Sequence, residues 1–379
     1  MLNLDLTGAQ MLGQGGLTVA PLSIADGFVT AIAQGRAVDL TGYLVLPGIV
    51  DVHGDGFERH LAPRRGAMKT MSEGLVAAEA ELAANGITTA VLAQFVSWEG
   101  GLRGPEFAEQ VFAAMAVTAP GLVTDLHGQL RFETHMLDLY DGLPQKMADW
   151  GLSYIVFNDH LPHDRLAEGK TPKRMVAQAL KAARNPDKHL AFMQQLHANS
   201  PDVPAALDAL CAKLARQGVQ MGSHDDTTAK GRTAWRGRGV RVAEFPETLE
   251  AAEAASAAGD LVVLGSPNVV RGGSHNGNVS AVELVMMGIG SALASDYHYP
   301  SPRRAAFMLA DSGVLPLADA WHLVSEGPAA VLGLTDRGTL EPGKRADLVV
   351  LDARTRRVAM TMAGGRVSYM SGDIAARFL

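Results

Sequence analysis

The stretch LVLPGIVDVHGDGFERH (44–60) contains an apolar strand that runs directly into a His-Gly-Asp motif. Side chains at positions i and i+2 of a strand point to the same side, so His53 and Asp55 can hold one metal ion between them. Gly54, which separates them, leaves room for such an ion. A lone motif of this kind is common by chance, but its position at a strand end after a Pro-Gly pair makes it a good candidate. The motif therefore predicts a metal site at the end of the first strand of a larger sheet.

Seven further apolar runs follow this strand, and Ala-rich stretches with helical periodicity separate them, such as SEGLVAAEAELAANG (72–86). The eight predicted strands cover residues 48–54, 87–95, 122–133, 153–159, 218–224, 239–244, 261–269 and 290–296. Eight strands that alternate with helices predict an α/β fold, a (β/α)8 TIM barrel. The alternative is a doubly wound sheet, which predicts a Gly-rich dinucleotide motif after an early strand, and the sequence contains none.

The two ends of the chain differ from the middle. Residues 1–47 and 338–379 contain short apolar runs broken by Gly and Asp-Gly, without helical periodicity. We expect them to form one β-sandwich domain, with the barrel at 48–337. Residues 161–216 are too long for a simple loop and are helical in pattern, with nine Lys or Arg against five Asp or Glu. This predicted helical insertion is either a solvated surface element, a basic lid over the site or a partner surface.

Composition excludes several classes of protein. The 379 residues are 47% hydrophobic and 19% charged, which supports a large core and excludes general disorder. A net charge of −7 argues against nucleic-acid binding over the whole surface. Neither a secretory signal nor an apolar run of membrane-spanning length is visible, so we expect no membrane association. The single cysteine, Cys211, cannot form an internal disulfide, which fits a cytoplasmic protein. A homo-oligomer is compatible with all of this.

Potential metal ligands recur at the ends of later strands. The main candidates are Glu133, His160, His224 and Asp296. Further candidates beside them are His127, His135, Asp159, His163, Asp225, Asp226 and His298. The C-terminal strand ends of a barrel converge on one mouth, so residues far apart in sequence meet there. Each residue alone is more often an ordinary loop residue, but five strand ends with His, Asp or Glu together predict an active site.

Several motifs resemble the amidohydrolase superfamily. They are LPGIVDVHGD (46–55), SHDD (223–226), ASDYHYPS (294–301) and EPGKRADLVVLD (341–352). A second set resembles one branch of it, the diphosphohydrolases of the carbon–phosphorus lyase (phosphonate) pathway. These motifs are HGDGFERHLAPRRGA (53–67), VFNDHLP (156–162), SHDDTT (223–228), EFPETLEAA (244–252) and GSPNVVRGGSHNGNVSA (265–281). The resemblance covers nearly the whole chain and implies a (β/α)8 barrel with a β-sandwich made from both chain ends.

The resemblance also implies a site. The metal ligands carried over from the family are His53, Asp55, Glu133, His160, His224 and Asp296. Asp55 stands where the family usually has a second histidine, and the family's bridging carboxylate or carbamylated lysine matches Glu133. Asp296 and Glu133 are the implied catalytic residues, with Asp296 accepting a proton from the attacking water. Glu133, His160 and His224 fall on predicted strands three, four and five, where the superfamily usually uses four, five and six. Either the strand assignment is wrong or this branch is a variant.

The ligand types agree with hydrolysis. Imidazoles and carboxylates suit Zn²⁺, which is the preferred ion here, and such mixed sets also accept Mn²⁺ or Fe²⁺. One or two ions fit, because a carboxylate such as Glu133 can bridge a pair about 3.5–4 Å apart. A divalent metal is therefore the expected cofactor.

Basic residues follow the same strands, which favours an anionic substrate. The predicted substrate-binding residues are Arg59, Arg64, Arg65, Arg271, Gly272, Gly273 and His275. Another basic run, 230–241, follows His224. These residues predict only an anionic substrate. The resemblance implies a diphosphatase that cleaves α-D-ribose 1-methylphosphonate 5-triphosphate, a small anionic sugar triphosphate, to the 5-phosphate and pyrophosphate. The alternatives are a generic amidohydrolase, a deacetylase or deaminase acting on a C–N bond, and a non-catalytic assembly subunit that kept the barrel.

Overall fold

The computed structural model describes residues 2–33, 35–62, 68–273 and 278–379. The strands of this part, in chain order, are β1 (Leu4–Thr7), β2 (Gln10–Gly13), β3 (Gly16–Val19), β4 (Leu22–Ala25), β5 (Phe28–Thr30), β6 (Arg36–Asp39), β7 (Tyr43–Pro47), β8 (Ile49–Gly54), β9 (Ile87–Val96), β10 (Asp125–Glu133), β11 (Tyr154–Asn158), β12 (Gln220–His224), β13 (Val242–Glu244), β14 (Leu261–Gly265), β15 (Ala292–Ala294), β16 (Leu348–Asp352), β17 (Val358–Ala363) and β18 (Arg366–Met370).

The α-helices of the same residues, again in chain order, are α1 (Glu58–Leu61), α2 (Met71–Ala84), α3 (Pro105–Thr118), α4 (Leu143–Asp149), α5 (His163–Ala167), α6 (Met175–Lys181), α7 (Pro186–Ala198), α8 (Val203–Arg216), α9 (Ala229–Gly237), α10 (Leu249–Ala257), α11 (Ser266–Arg271), α12 (Ala281–Met286), α13 (Ser301–Asp311), α14 (Leu317–His322) and α15 (Glu326–Val331). Among the described residues, no helix combines the length and the apolar character that crossing a bilayer requires.

Strands β8 to β15 form one eight-stranded parallel sheet in chain order. A parallel bridge between Gly54 and Asp296 joins the first strand to the residues after the last. On either side of it, the Asp296 amide donates to the His53 carbonyl and the Asp55 amide donates to the Asp296 carbonyl, both at 2.9 Å. These bonds close the barrel, so the predicted (β/α)8 fold is confirmed. Glu133, His160 and His224 lie on or just after the third, fourth and fifth barrel strands, in agreement with the strand count from the sequence.

Side chains of the barrel strands point alternately inward and outward, and this alternation separates an apolar layer inside the barrel from one outside it. Val52, Val91, Val156, Val242 and Val263 belong to a buried cluster inside the barrel. A larger cluster lies between the strands and the surrounding helices. Because successive strand residues point to opposite sides, the inward positions beyond the valine layer face the mouth of the barrel. These are the positions at which polar side chains can meet.

The two chain ends combine into further sheets. A four-stranded sheet has the order β5-β4-β1-β6, and a six-stranded sheet has the order β18-β17-β16-β7-β2-β3. Strand β7 from the first end pairs antiparallel with β16 from the second, with Leu44 opposite Leu351. A separate apolar cluster with members from both ends, including Leu6, Ile24 and Leu348, fills the space inside. The sandwich built from both ends is thus confirmed, while the domain limits at 47/48 and 337/338 stay a prediction.

One sequence expectation needs adjustment and a second agrees with the structure. The predicted strand 261–269 is wrong in its second half, because β14 ends at Gly265 and α11 begins at Ser266. Pro267 explains the change, since proline lacks the N–H that a strand interior needs and is favoured in the first turn of a helix. The segment 161–216 contains α5 to α8, which is the helical pattern that the sequence indicates.

An ion-pair network lies at the N-terminal ends of the barrel strands, away from the mouth. Arg337 donates to Thr89 Oγ1 at 2.8 Å and to Asp125 Oδ2 at 2.6 Å, and Arg345 donates to the same Asp125 oxygen at 2.9 Å. Burial opposes ionisation of Asp125, but the contacts with His127 and Arg337 outweigh it and hold the pKa of Asp125 below its usual range. The network fastens the segment before β16 to the bottom of the barrel, where stability rather than chemistry is expected.

Replacing Asp125 by Asn should lower the free energy of unfolding by about 1.5–3 kcal/mol at pH 7, because charge-assisted hydrogen bonds are lost. A depressed folded-state pKa stabilises the protein fully above the unfolded-state pKa of about 3.9, and this contribution is lost progressively as the pH falls from that value toward the folded-state pKa. Urea unfolding of wild type and D125N between pH 7 and pH 3 should therefore show curves that converge below about pH 4. Asp141→Asn, at a fully exposed side chain, is the control and should match wild type throughout. A difference that persists unchanged to pH 3 would contradict this explanation.

Candidate active site

Three polar side chains alternate along β10 and point into the barrel mouth. Gln129 and Glu133 are fully buried and Arg131 is nearly so. Gln129 donates to Glu244 Oε1 at 2.8 Å, and Glu133 accepts the backbone N–H of His160 at 3.1 Å. Since positions i, i+2 and i+4 of a strand share a face, one strand connects three parts of the site.

His53 is held by a carboxylate at the end of β13. Its Nδ1 lies 2.6 Å from Glu244 Oε2, and both side chains are fully buried. Glu244 also accepts from Tyr154 Oη at 2.5 Å. Burial opposes ionisation of Glu244, but its contacts with His53 outweigh this and lower its pKa. Nδ1 is therefore the donor to Glu244, and His53 Nε2 is left buried with no hydrogen-bond partner among the described residues.

His224 and Arg131 form a second group at the mouth. Arg131 Nη2 lies 2.9 Å from His224 Nε2, and Arg131 Nη1 lies 3.5 Å from an Asp55 carboxylate oxygen. The other nitrogen of His224 is 2.8 Å from Asp225 Oδ2. Burial lowers the pKa of His224 to about 4, so the ring is neutral at pH 7 and Nε2 can accept from Arg131. The guanidinium of Arg131 thus lies between two of the predicted metal ligands, His224 and Asp55.

His160 lies between two carboxylates. Its Nδ1 contacts Glu133 Oε1, and its Nε2 is 3.7 Å from Asp225 Oδ2. Burial alone would lower the pKa of His160, but its contacts with the accepting carboxylates of Asp225 and Glu133 outweigh burial and raise this pKa to about 9. Glu133, His160 and Asp225 therefore form a connected chain across the third, fourth and fifth strand ends.

Left-handed backbone conformations occur where three barrel strands end. Asp225, Phe245 and Asp296 have φ values of +60°, +52° and +56°. Such a conformation costs an L-residue on the order of 1–3 kcal/mol and clusters at functional sites. The Phe245 ring packs edge-on against His53 and His224, with centroids 5.0 Å apart in both cases. The strained turns fix these side chains around a common space.

Asp296 has the environment of a proton acceptor. Burial, together with the nearby Asp55 charge, raises the pKa of Asp296 to about 6. A carboxylate whose pKa is close to the working pH can accept a proton and release it again. The barrel-closing hydrogen bonds hold its backbone beside His53 and Asp55.

The donor set fits a divalent metal. The ligand atoms of His53, His224 and Glu244 all lie within 4.8 Å of one another. A ligating histidine usually donates its other ring N–H to a carboxylate, which is the relation between His53 and Glu244. The unpartnered Nε2 of His53 is therefore the atom most clearly prepared for a metal ion, and the carboxylates of Asp55 and Asp296 lie close by.

The predicted substrate-binding residues other than Arg59 divide into three groups. Arg271 lines a cavity of about 130 Å³ together with Asp225, Asn268 and Asp296. Gly272 and Gly273 follow it directly at the end of α11, where Gly272 has a φ of +77°. Arg64, Arg65 and His275 lie outside the described residues.

Other cations of the sequence already have carboxylate partners. Arg59 and His60 share Glu81, with the His60 Nε2 to Glu81 Oε2 distance at 2.6 Å. Within the basic run 230–241, the ion pairs with acidic residues are those of Arg232 with Asp226 and Asp260, Arg236 with Asp260, Arg238 with Asp208 and Arg241 with Asp260. These pairs give four arginines of the run a structural role, while the expectation that the run binds an anion stays a prediction.

Comparison with known proteins identifies the family. A family model described as the amidohydrolase family matches residues 80–369. The chain belongs to the amidohydrolase family. Its members typically depend on divalent metal ions, and the candidate ligands of this amidohydrolase lie at the barrel mouth.

Individual relatives differ in the reaction that their names give. The alpha-D-ribose 1-methylphosphonate 5-triphosphate diphosphatase of Escherichia coli (strain K12) is 30% identical over 351 residues, covering 89% of this chain and 92% of the diphosphatase. An adenine deaminase of Methylobacterium sp. (strain 4-46) is 32% identical over 212 residues, which are 51% of this chain and 35% of the deaminase. The crystal structure of N-acetylglucosamine-6-phosphate deacetylase from Pasteurella multocida has a TM-score of 0.63 at 11% identity, with 97% of this chain and 99% of the other covered. The similarity to the deacetylase structure shows that the two proteins share a fold.

Three residues of this amidohydrolase's site are not among those predicted from the sequence. They are Gln129, Arg131 and Glu244. All three are polar residues on barrel strands, and Glu244 follows VA at a strand end, as Glu133 follows RF. The rule that selected Glu133 would have selected Glu244 as well.

Proposed function

We propose that this hydrolase cleaves the phosphoric anhydride of α-D-ribose 1-methylphosphonate 5-triphosphate between the first and second phosphorus atoms from the sugar. The products would be the 5-phosphate and pyrophosphate. The observation that carries the proposal is that a guanidinium, Arg271, and the proton acceptor Asp296 line one cavity. The extended similarity to a diphosphatase of this name supports the choice of substrate.

His53, through its unpartnered Nε2, is the residue best prepared to hold a metal, with Asp55, Glu133, His160, His224 and Asp296 as further ligands carried over from the family pattern. A divalent ion bound there lowers the pKa of bound water toward about 7 and stabilises negative charge on phosphoryl oxygens. Zn²⁺ suits this set best, and Mn²⁺ or Fe²⁺ are alternatives.

Asp296 performs the proton transfer. Its raised pKa lets it take a proton from water as the water oxygen bonds to phosphorus. The bond from phosphorus to the bridging oxygen breaks, and Asp296 returns the proton to the departing pyrophosphate. Glu244 keeps His53 in one tautomer and one orientation throughout, because it holds Nδ1–H.

Arg271 offsets charge on the polyphosphate. Its guanidinium donates to Tyr297 Oη, and it has no carboxylate partner among the described residues, unlike Arg59. It therefore keeps donors for phosphate oxygens, which guanidinium groups bind well. The chain carries a net charge of −7, so attraction of a triphosphate depends on such local cations.

Wild-type enzyme should release pyrophosphate from the triphosphate, and Arg271→Ala should lower kcat/KM about ten- to a hundredfold. This range corresponds to about 1.5–3 kcal/mol for a charge-assisted hydrogen bond. Phosphorus NMR identifies the products, and the same variants are assayed with neutral acyl amides.

Arg354→Ala, on an exposed turn of the sandwich, is the matched control and should keep wild-type kinetics. Release of orthophosphate alone, or faster turnover of the amides than of the triphosphate, would favour the C–N alternative. Wild-type kinetics in R271A would remove Arg271 from the site.

A further inference from the structure

A second group of metal-binding side chains lies in the wall of a larger cavity. Ligand atoms of His135, Asp159 and His163 all lie within 4.8 Å of one another. The cavity, of about 630 Å³, is also lined by His160 and His224. The group thus faces the same space as the candidate active site but uses different side chains.

Hydrogen bonds around His135 fix which nitrogen carries its proton. Ser200 Oγ donates its only hydrogen to the His197 carbonyl at 2.6 Å. His135 Nε2 lies 3.1 Å from the same Ser200 Oγ and must therefore be the donor of that contact. A ring with one proton then presents the lone pair of Nδ1 toward Asp159 Oδ1, 3.5 Å away. The hydroxyl of Thr134 reaches Nδ1 only at the long distance of 3.4 Å.

The two acceptors, His135 Nδ1 and Asp159 Oδ1, therefore face each other across a gap that opens to the cavity. Asp159 is also 3.1 Å from His163 Nε2 through both carboxylate oxygens. The remaining nitrogen of His163, Nδ1, lies 2.8 Å from His197 Nδ1. A histidine that binds metal through one nitrogen usually has a partner on the other, and both His135 and His163 have one.

We propose that His135, Asp159 and His163 form an auxiliary binding site for a divalent transition-metal ion. Two imidazole nitrogens and one carboxylate are a set that Zn²⁺ and Fe²⁺ accept, with open positions left for other ligands. His135 is almost fully buried, whereas the side chains of Asp159 and His163 are 42% and 32% exposed, so the open positions face the cavity. The ion relieves the contact between the Asp159 and His135 acceptors.

The open positions suit oxygens of an anionic substrate. The role of the ion in substrate binding rests on the proposed function, because a triphosphate is the ligand that would extend from Asp296 into this cavity. Asp225 lines both this cavity and the one that contains Arg271. The auxiliary ion therefore binds phosphate oxygens distant from the bond that breaks.

Metal binding to the full-length enzyme, stripped of metal and without substrate, tests the site. Titration with Zn²⁺ against a chromophoric chelator, checked by elemental analysis, should show one equivalent fewer in His163→Gln than in wild type. Asp159→Asn is a second variant that should lose the same equivalent. His322→Gln, at an exposed histidine on α14, is the matched control and should bind as wild type does. Circular dichroism checks that each variant is folded.

An unchanged number of equivalents in both folded variants, with affinity within threefold of wild type, would overturn the proposed site. Asp159 and His163 would then form an ordinary ion pair. KM for the triphosphate is a separate readout, and we expect H163Q to raise it about tenfold with a smaller change in kcat. Loss of the metal equivalent with unchanged KM keeps the site but overturns its role in substrate binding. Failure of wild type to cleave the triphosphate overturns the proposed function and leaves the metal titration valid.

Discussion

Replacing Asp296 by Asn should lower kcat about 10²–10⁴-fold, the range that a general base usually contributes. The amide has nearly the same shape and keeps the backbone hydrogen bonds that close the barrel, but it cannot accept a proton from water. Because these bonds use main-chain atoms, the fold should be retained. Steady-state kinetics at saturating metal, with circular dichroism as a check on folding, measure the effect.

Asp319→Asn is the matched control, since this residue is an exposed aspartate on α14. It should have wild-type kcat and KM. If D296N keeps kcat within threefold of wild type, Asp296 does not carry the proton, and another carboxylate at the mouth takes that role.

Replacing Glu244 by Gln should weaken metal binding about 10–100-fold, the usual effect of losing the residue that orients a ligating histidine. Glu244 accepts from His53, Gln129 and Tyr154, and a glutamine offers only one acceptor oxygen for these three donors. His53 then loses the charge-assisted hydrogen bond that fixes its orientation. Chelator competition with Zn²⁺ measures the dissociation constant directly.

Glu253→Gln tests the same chemical change at an exposed position of the neighbouring helix α10 and should leave metal affinity unchanged. Raising the Zn²⁺ concentration should restore part of the activity of E244Q, because the loss is one of affinity. Wild-type affinity in E244Q would show that this carboxylate has only a packing role.

The barrel could be predicted from the sequence because its strands are short, apolar and regularly spaced. The HxD motif was located by the same reasoning, since i and i+2 on a strand share a face. The same alternation of side chains also indicates further site residues, because Gln129, Arg131 and Glu133 occupy every second position of β10 and so share one face. Polar residues within a barrel strand, and not just those at its end, therefore indicate a site.

The assignment of cations to phosphate could not be made from sequence alone. Arg232 follows His224 in the chain as a substrate-binding arginine would, yet its side chain is buried against Asp226 and Asp260. Arg271 follows a strand in the same way and lines the cavity beside Asp296. Whether a basic residue is already paired depends also on carboxylates that are distant in the chain, such as Asp260, and local sequence carries no information about these.

The seam between the first and last barrel strands has a consequence for assembly of the protein. His53, Asp55 and Asp296 supply both the main-chain bonds of this seam and the side chains of the predicted metal site. A slip of one residue between β8 and the residues after β15 would turn alternate side chains to the wrong face. Such a misaligned barrel would lack the ligand set, so metal would bind the correctly closed chain in preference to it. Metal binding would then select the correctly closed barrel during folding, because its free energy stabilises only the chain with the correct register between β8 and the residues after β15.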